Sequence, residues 1–120
     1  MTERKSTENS KKTDLVRAVF VAWETGDAAA LDRLLADDFT FSSPNDDHLS
    51  RAEYWETCWP GHDLIRTYDI LNLVKDGEEV LVRYEGELTD GRRFRNVEHF
   101  RFAGDKVAEV TVYFGRDVAQ

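Results

Sequence analysis

The sequence predicts an α+β fold, with three N-terminal helices packed on a strongly curved antiparallel sheet. Three observations carry this expectation. Apolar residues recur at helical spacing early in the chain, with Leu15, Val19 and Trp23 on one face. From Asp63 onward the period changes to two, as a strand requires. The four period-two segments are separated by "KDG", "TDG" and "AGD", and connections this short make neighbouring strands antiparallel.

Each element has its own local cause. Residues 1–12 lack an apolar side chain after Met1, so they cannot bury enough surface to offset ordering and are expected to form a mobile tail. Residues 13–120 are expected to form one domain, a size that buries a core without disulfides or metals. Thr13 is the expected N-cap of the first helix, with Val16 and Phe20 flanking its apolar face. Gly26 ends it and Asp27 caps a second helix over "AAALDRLLADD". "DFTFSSP" alternates, placing Phe39, Phe41 and Ser43 on one strand face until Pro44 stops it. "NDDH" reads as a polar loop. Ser50 and Glu53 make a capping box for a third helix carrying Tyr54, Trp55, Cys58 and Trp59, which should stop at Pro60-Gly61.

Composition excludes several functions. Hydrophobic residues are 41% and charged residues 33%, the balance of a globular chain. A net charge of -8 disfavours nucleic acid, whose phosphates require a basic face, and equally an anionic membrane surface. The single cysteine, Cys58, rules out an intrachain disulfide, and the polar N-terminal stretch has no apolar signal core, so a cytoplasmic location is expected. His48, His62 and His99 lack metal-ligand spacing, and no phosphate-binding glycine loop is present, so neither metal nor cofactor is expected.

The chemistry concentrates in "FRNVEHFRF", Phe94 to Phe102. Alternation puts Phe94, Asn96, Glu98, Phe100 and Phe102 on one face, and Arg93, Arg95, Val97, His99 and Arg101 on the other. Three rings against three arginines make the first face the inner one. Val80, Val82, Tyr84 and Leu88 form the inner set of the preceding strand, interrupted by Gly86. Ala108, Val110, Val112 and Phe114 form that of the last strand. Glu98 therefore faces inward among apolar groups with no cation nearby, a setting that raises a carboxyl pKa and marks a candidate functional acid. The alternative is that Tyr84 or Asn96 satisfies Glu98 within a solid core. Tyr84, Ser43, Asn96 and Glu98 would then be surplus polar groups in a dry interior, which is costly, so a cavity is expected. Trp23, Phe41, Trp55, Trp59, Phe100, Val112 and Phe114 are expected to supply its apolar lining. His48, beside Asp46 and Asp47, is the candidate general base at the rim. Its alternative is a solvated turn.

The element order, the "ETGDAAALDRLLADDFTF" entry and the "VEHFRF…KVAEVTVYFG" exit resemble the nuclear transport factor 2-like (NTF2-like) superfamily, nearest its SnoaL-like and ketosteroid-isomerase-like branches. The resemblance covers Asp14 to about Gly115. It implies a cone-shaped α+β roll, of the cystatin-like kind, whose curved sheet wraps a deep, cone-shaped pocket closed by the helices. It also implies a homodimer through the outer sheet face, here Val97, His99, Arg101, Thr111 and Tyr113. The isomerase branch carries a neutral carboxylic acid just before an "x-F-R-F" segment, and Glu98 holds that place as Glu rather than Asp. Its base before a proline corresponds to Ser43, and its first-helix tyrosine to Val19. Without that base, ketosteroid isomerisation is not expected. The limonene epoxide hydrolase branch needs an Asp-Arg-Asp network where Val112, Tyr84 and Gly86 stand, so that activity is not expected either. The resulting expectation is a roll binding a small, mostly apolar molecule, cyclic compounds included, with Glu98 as acid and cofactor-free isomerase- or lyase-like chemistry. A non-catalytic carrier or interaction module is the alternative.

Overall fold

A computed structural model describes residues 2–118, with side chains from Lys11 to Val118. The tail expected over residues 1–12 bears chiefly on residues 1–10, whose side chains lie outside that range. Helix α1 is Thr2–Thr25, so Thr13 lies within the helix and is not its N-cap. Lys12 is already helical and is held by Glu78 at 3.4 Å and by the Phe102 ring at 4.9 Å, which carries the helix past the expected start. The buried face of α1 is Val16, Val19, Phe20 and Ala22.

The Asp27 side chain accepts from the Ala30 N–H at 3.0 Å and starts helix α2, Ala28–Leu34. This helix is shorter than expected, because β1, Leu35–Ser43, begins directly after it. Leu35, Ala36 and Phe39 are buried there, and Leu35 pairs with Val107. The expected polar loop is instead a short strand, β2, Asp46–Ser50, antiparallel to β1. Its backbone pairing replaces the apolar signal that "DDHLS" lacks.

The capping box forms as expected at helix α3, Arg51–Thr57. The Glu53 N–H donates to Ser50 Oγ at 3.2 Å, and the Ser50 N–H to Glu53 Oε1 at 2.9 Å. The chain does not stop at Pro60-Gly61 but makes a 3-10 turn, Trp59–Leu64, in which His62 stacks on Trp59 at 4.3 Å.

Strands β3 (Ile65–Asp76), β4 (Glu79–Leu88), β5 (Arg93–Ala103) and β6 (Lys106–Val118) follow as a meander. Gly77, Gly91 and Gly104 sit at positive φ in the three turns. The sheet order is β2-β1-β6-β5-β4-β3. One pairing departs from the antiparallel expectation: β1 runs parallel to β6, so the first strand closes the meander on the side opposite β3. Fully buried Val80, Val82 and Phe100 from β4 and β5 meet Val16 and Leu31 from the helices in one core. The fold is thus an α+β roll whose helices cover the concave face of the sheet. Among the described residues no helix is long and apolar enough to cross a membrane.

Candidate functional site

The core is not solid. A cavity of about 180 Å³ lies between α1, α3 and the concave sheet. Its walls are mostly apolar, with Val19 and Phe20 from α1 and Phe39, Val110 and Val112 from the sheet. Its polar groups are Glu98, Asn96, Tyr84, Tyr68, Tyr54 and the Cys58 thiol.

Four groups form a hydrogen-bonded chain whose direction is fixed at one end. The Gly115 N–H can only donate, and it donates to Asn96 Oδ1 at 3.1 Å. The Asn96 amide nitrogen must therefore point the other way, and Nδ2 donates to the Tyr84 hydroxyl at 3.2 Å. That hydroxyl, already accepting, passes its own hydrogen to Glu98 Oε2 at 2.6 Å. Strand register builds the chain: Tyr84 pairs with Asn96 across β4 and β5, and Glu98 follows Asn96 on the same face. A bulge between Phe94 and Asn96 brings Gly115 close enough to donate. A Cβ at Gly115 would stand 2.1 Å from the Arg95 carbonyl oxygen, so the close approach requires glycine.

Glu98 retains some accessible surface, and that surface is cavity wall. Burial pushes its carboxyl up to about 7, while the Tyr84 hydrogen bond holds it down somewhat; no cation contributes. With Oε2 occupied by Tyr84, Oε1 has no partner among the described residues. In the neutral acid the proton belongs on Oε1, available to a guest.

The phenols around it are locked in their protonated form. Burial raises Tyr54, Tyr68 and Tyr84, and negative charge at Glu98 raises each further. The Tyr54 oxygen accepts from Trp23 Nε1 at 2.9 Å, which leaves its own hydrogen free. The Tyr68 hydroxyl makes no hydrogen bond among the described residues. Burial also pushes the Cys58 thiol up to about 11, so it is an inert wall group rather than a nucleophile.

Of the residues singled out in the sequence, Glu98, Asn96, Tyr84, Trp23, Phe41 and Val112 line the cavity. The others do not. Ser43 is turned into the β1–β2 connection by an irregularity after Phe41 and bonds Asp46 at 3.3 Å. Trp55 and Trp59 pack on each other at 5.2 Å, behind Tyr54. Phe100 is fully buried in the core, and Phe114, opposite Asn96 at the β5–β6 bulge, is 54% exposed. His48 is an exposed residue at φ 52, paired with Asp47 at 2.7 Å and Glu109 at 3.7 Å. Tyr54, Tyr68 and Phe94 are cavity residues that the sequence reading did not assign to a pocket. Their signal was present in strand alternation only for Phe94. Among the described residues no cluster of His, Cys, Asp and Glu could hold a metal.

These features define a class. The chain belongs to the SnoaL-like domain family, whose model matches residues 16–110. Its fold is shared by solved structures at low identity. An NTF2-like protein of unknown function from Burkholderia xenovorans LB400 superposes with TM-score 0.76 at 20% identity, over 93% of this chain and 88% of its own. A provisionally assigned ketosteroid isomerase from Kribbella flavida DSM 17836 gives 0.74 at 19%, over 92% and 82%. An LEH-like epoxide hydrolase from M. tuberculosis gives 0.73 at 18%, over 88% and 84%. No curated protein matches this chain.

Proposed function

We propose that the roll binds one small, mostly apolar molecule and that Glu98 is its polar anchor and acid. The observation that carries this reading is the Glu98 carboxyl itself. It lines the cavity without a cation beside it among the described residues, holds Tyr84 on one oxygen and has no partner there on the other. Near neutrality the carboxyl exists in both forms: the ionised form can take a proton from the carbon beside a bound carbonyl and the neutral form can return it to the same or a neighbouring carbon, which is isomerase- or lyase-like chemistry without a cofactor. The isomerase and hydrolase among the fold's relatives are consistent with such a site.

A second reading is a carrier without chemistry. It is favoured by the cavity's other titratable groups, Cys58 and three phenols, all pushed up and away from neutrality. His48, the base candidate in the sequence, does not line the cavity. Incubation with cyclohexanone in deuterated water separates the readings. Deuterium gained next to the carbonyl, and lost in Glu98→Gln, supports acid–base chemistry. Stoichiometric binding without exchange supports the carrier. A protein that binds no apolar ketone contradicts both.

The family resemblance also leads us to propose a homodimer through the outer sheet face, where Tyr113 is 58% and Val74 54% exposed.

A further inference from the structure

The relation of Phe94 to Gly86 limits what the cavity can hold. The two residues are paired across β4 and β5. A Cβ at Gly86 would stand 2.4 Å from Phe94 Cζ, 2.7 Å from Cε1 and 3.0 Å from Cε2. The far edge of the ring therefore lies on the bare backbone of Gly86, laid flat across the strand. The ring also lines the cavity and meets Tyr84 edge-on at 6.3 Å. It fills the space that a side chain at position 86 would otherwise occupy.

Volume decides the size of the guest. A cavity of roughly 150 Å³ holds one benzene ring, and drug-sized ligands need about 300 Å³ or more. At about 180 Å³ this cavity takes one ring with a small substituent.

Polarity decides its chemistry. Tyr84 has used its hydrogen on Glu98, and Asn96 is held at both ends. The groups left with a hydrogen to donate are Tyr54, whose oxygen already accepts from Trp23, Tyr68, and Asn96 through its second Nδ2 hydrogen. Glu98 Oε1 joins them when neutral. Among the described residues no cation lines the cavity to hold an anionic guest. A guest oxygen that only accepts satisfies these donors, whereas a carboxylate would be buried beside Glu98 without a counter-charge.

We propose that the cavity selects a one-ring carbonyl compound, such as a cyclic ketone, and that Phe94 lying over Gly86 sets the length limit. This rests on the pocket reading above and narrows it. The test is calorimetric or NMR titration with 2-cyclohexenone and with the two-ring ketone 1-tetralone, on the wild type, Phe94→Ala and Phe94→Leu. The wild type is expected to bind 2-cyclohexenone one per chain and 1-tetralone at least about tenfold more weakly, since each surplus carbon in a tight apolar site is worth about that much. In Phe94→Ala the affinity for 1-tetralone relative to 2-cyclohexenone should rise at least about tenfold, whatever both ketones lose with the missing ring. Phe94→Leu, which preserves more packing, should give a smaller gain in the same direction and carries the test if the alanine variant does not fold. Equal wild-type binding of both ketones overturns the length limit and leaves the pocket reading standing. Cyclohexane binding as tightly as 2-cyclohexenone overturns the carbonyl selection. No binding of any of the three compounds overturns the pocket reading itself.

Discussion

The Tyr84 hydroxyl donates to Glu98 Oε2 across 2.6 Å, and its direction is dictated from the protein backbone through Asn96. Tyr84 therefore always faces Glu98 as a donor. The carboxyl stays bonded whether charged or neutral, and its second oxygen is left without a partner among the described residues.

The first prediction concerns stability against pH. The folded carboxyl is raised from an ordinary 4.5 to about 7, so between those values the native state binds more protons than the unfolded chain. Stability contributed by this group is then lost as pH rises from about 4.5 to about 7 and is level above that. A shift of this size corresponds to roughly 3 kcal/mol. Urea denaturation across this pH range should show the decline, and Glu98→Gln should flatten it.

The second prediction concerns Tyr84→Phe. Removing the phenol takes away the one hydrogen bond that favours ionised Glu98 and leaves Asn96 Nδ2 without its acceptor. The pH window of the decline should extend upward, and the variant should lose about 1–3 kcal/mol in urea denaturation. A window that moves down would contradict the chain as described.

The third concerns Glu24, which fixes Tyr68 from outside the cavity. Glu24 Oε2 accepts from the Tyr68 backbone N–H at 2.7 Å and from Thr67 Oγ1 at 2.8 Å, tying α1 to the edge strand β3. Glu24→Ala leaves that N–H unpaired and should cost about 1–3 kcal/mol, with Tyr68 amide exchange accelerated. Glu24→Gln retains an acceptor and should recover most of the loss.

The two close-approach glycines should respond differently. At Gly115 an added Cβ meets a backbone carbonyl at 2.1 Å, which cannot move without breaking the β5–β6 pairing. At Gly86 it meets the Phe94 ring, which can swing. Gly115→Ala should therefore destabilise more than Gly86→Ala, by about 1–3 kcal/mol in thermal or urea unfolding, as overpacking does. Gly86→Ala should instead alter ketone selectivity.

The proposed dimer is checked by analytical ultracentrifugation. The wild type should sediment as a dimer, and Tyr113→Arg should shift it to monomer without changing the fold. A monomeric wild type removes the outer face from the account.

Much of this architecture was legible in the residues, and the gaps have physical causes. Glu98 could be turned inward because Phe94, Phe100 and Phe102 alternate against three arginines, a pattern with one solution. Ser43 and Phe114 could not be placed, because irregularities beside them break the alternation that such reasoning assumes. Trp55 and Trp59 were assigned to the pocket in place of Tyr54 because α3 is only seven residues long and passes into a 3-10 turn, where 3.6-residue spacing no longer gives direction. The strand Asp46–Ser50 has no apolar pattern and is made by its pairing with β1 alone. The parallel contact of β1 with β6 joins segments about seventy residues apart, which no local signal encodes.

The most direct test of the central claim is a carbon-13 NMR titration of the Glu98 side-chain carboxyl, free and with 2-cyclohexenone. The midpoint should lie near 7 in the free protein and higher with the ketone bound, because the guest prefers the neutral acid. A midpoint near the ordinary 4.5, unmoved by the ketone, would contradict that claim.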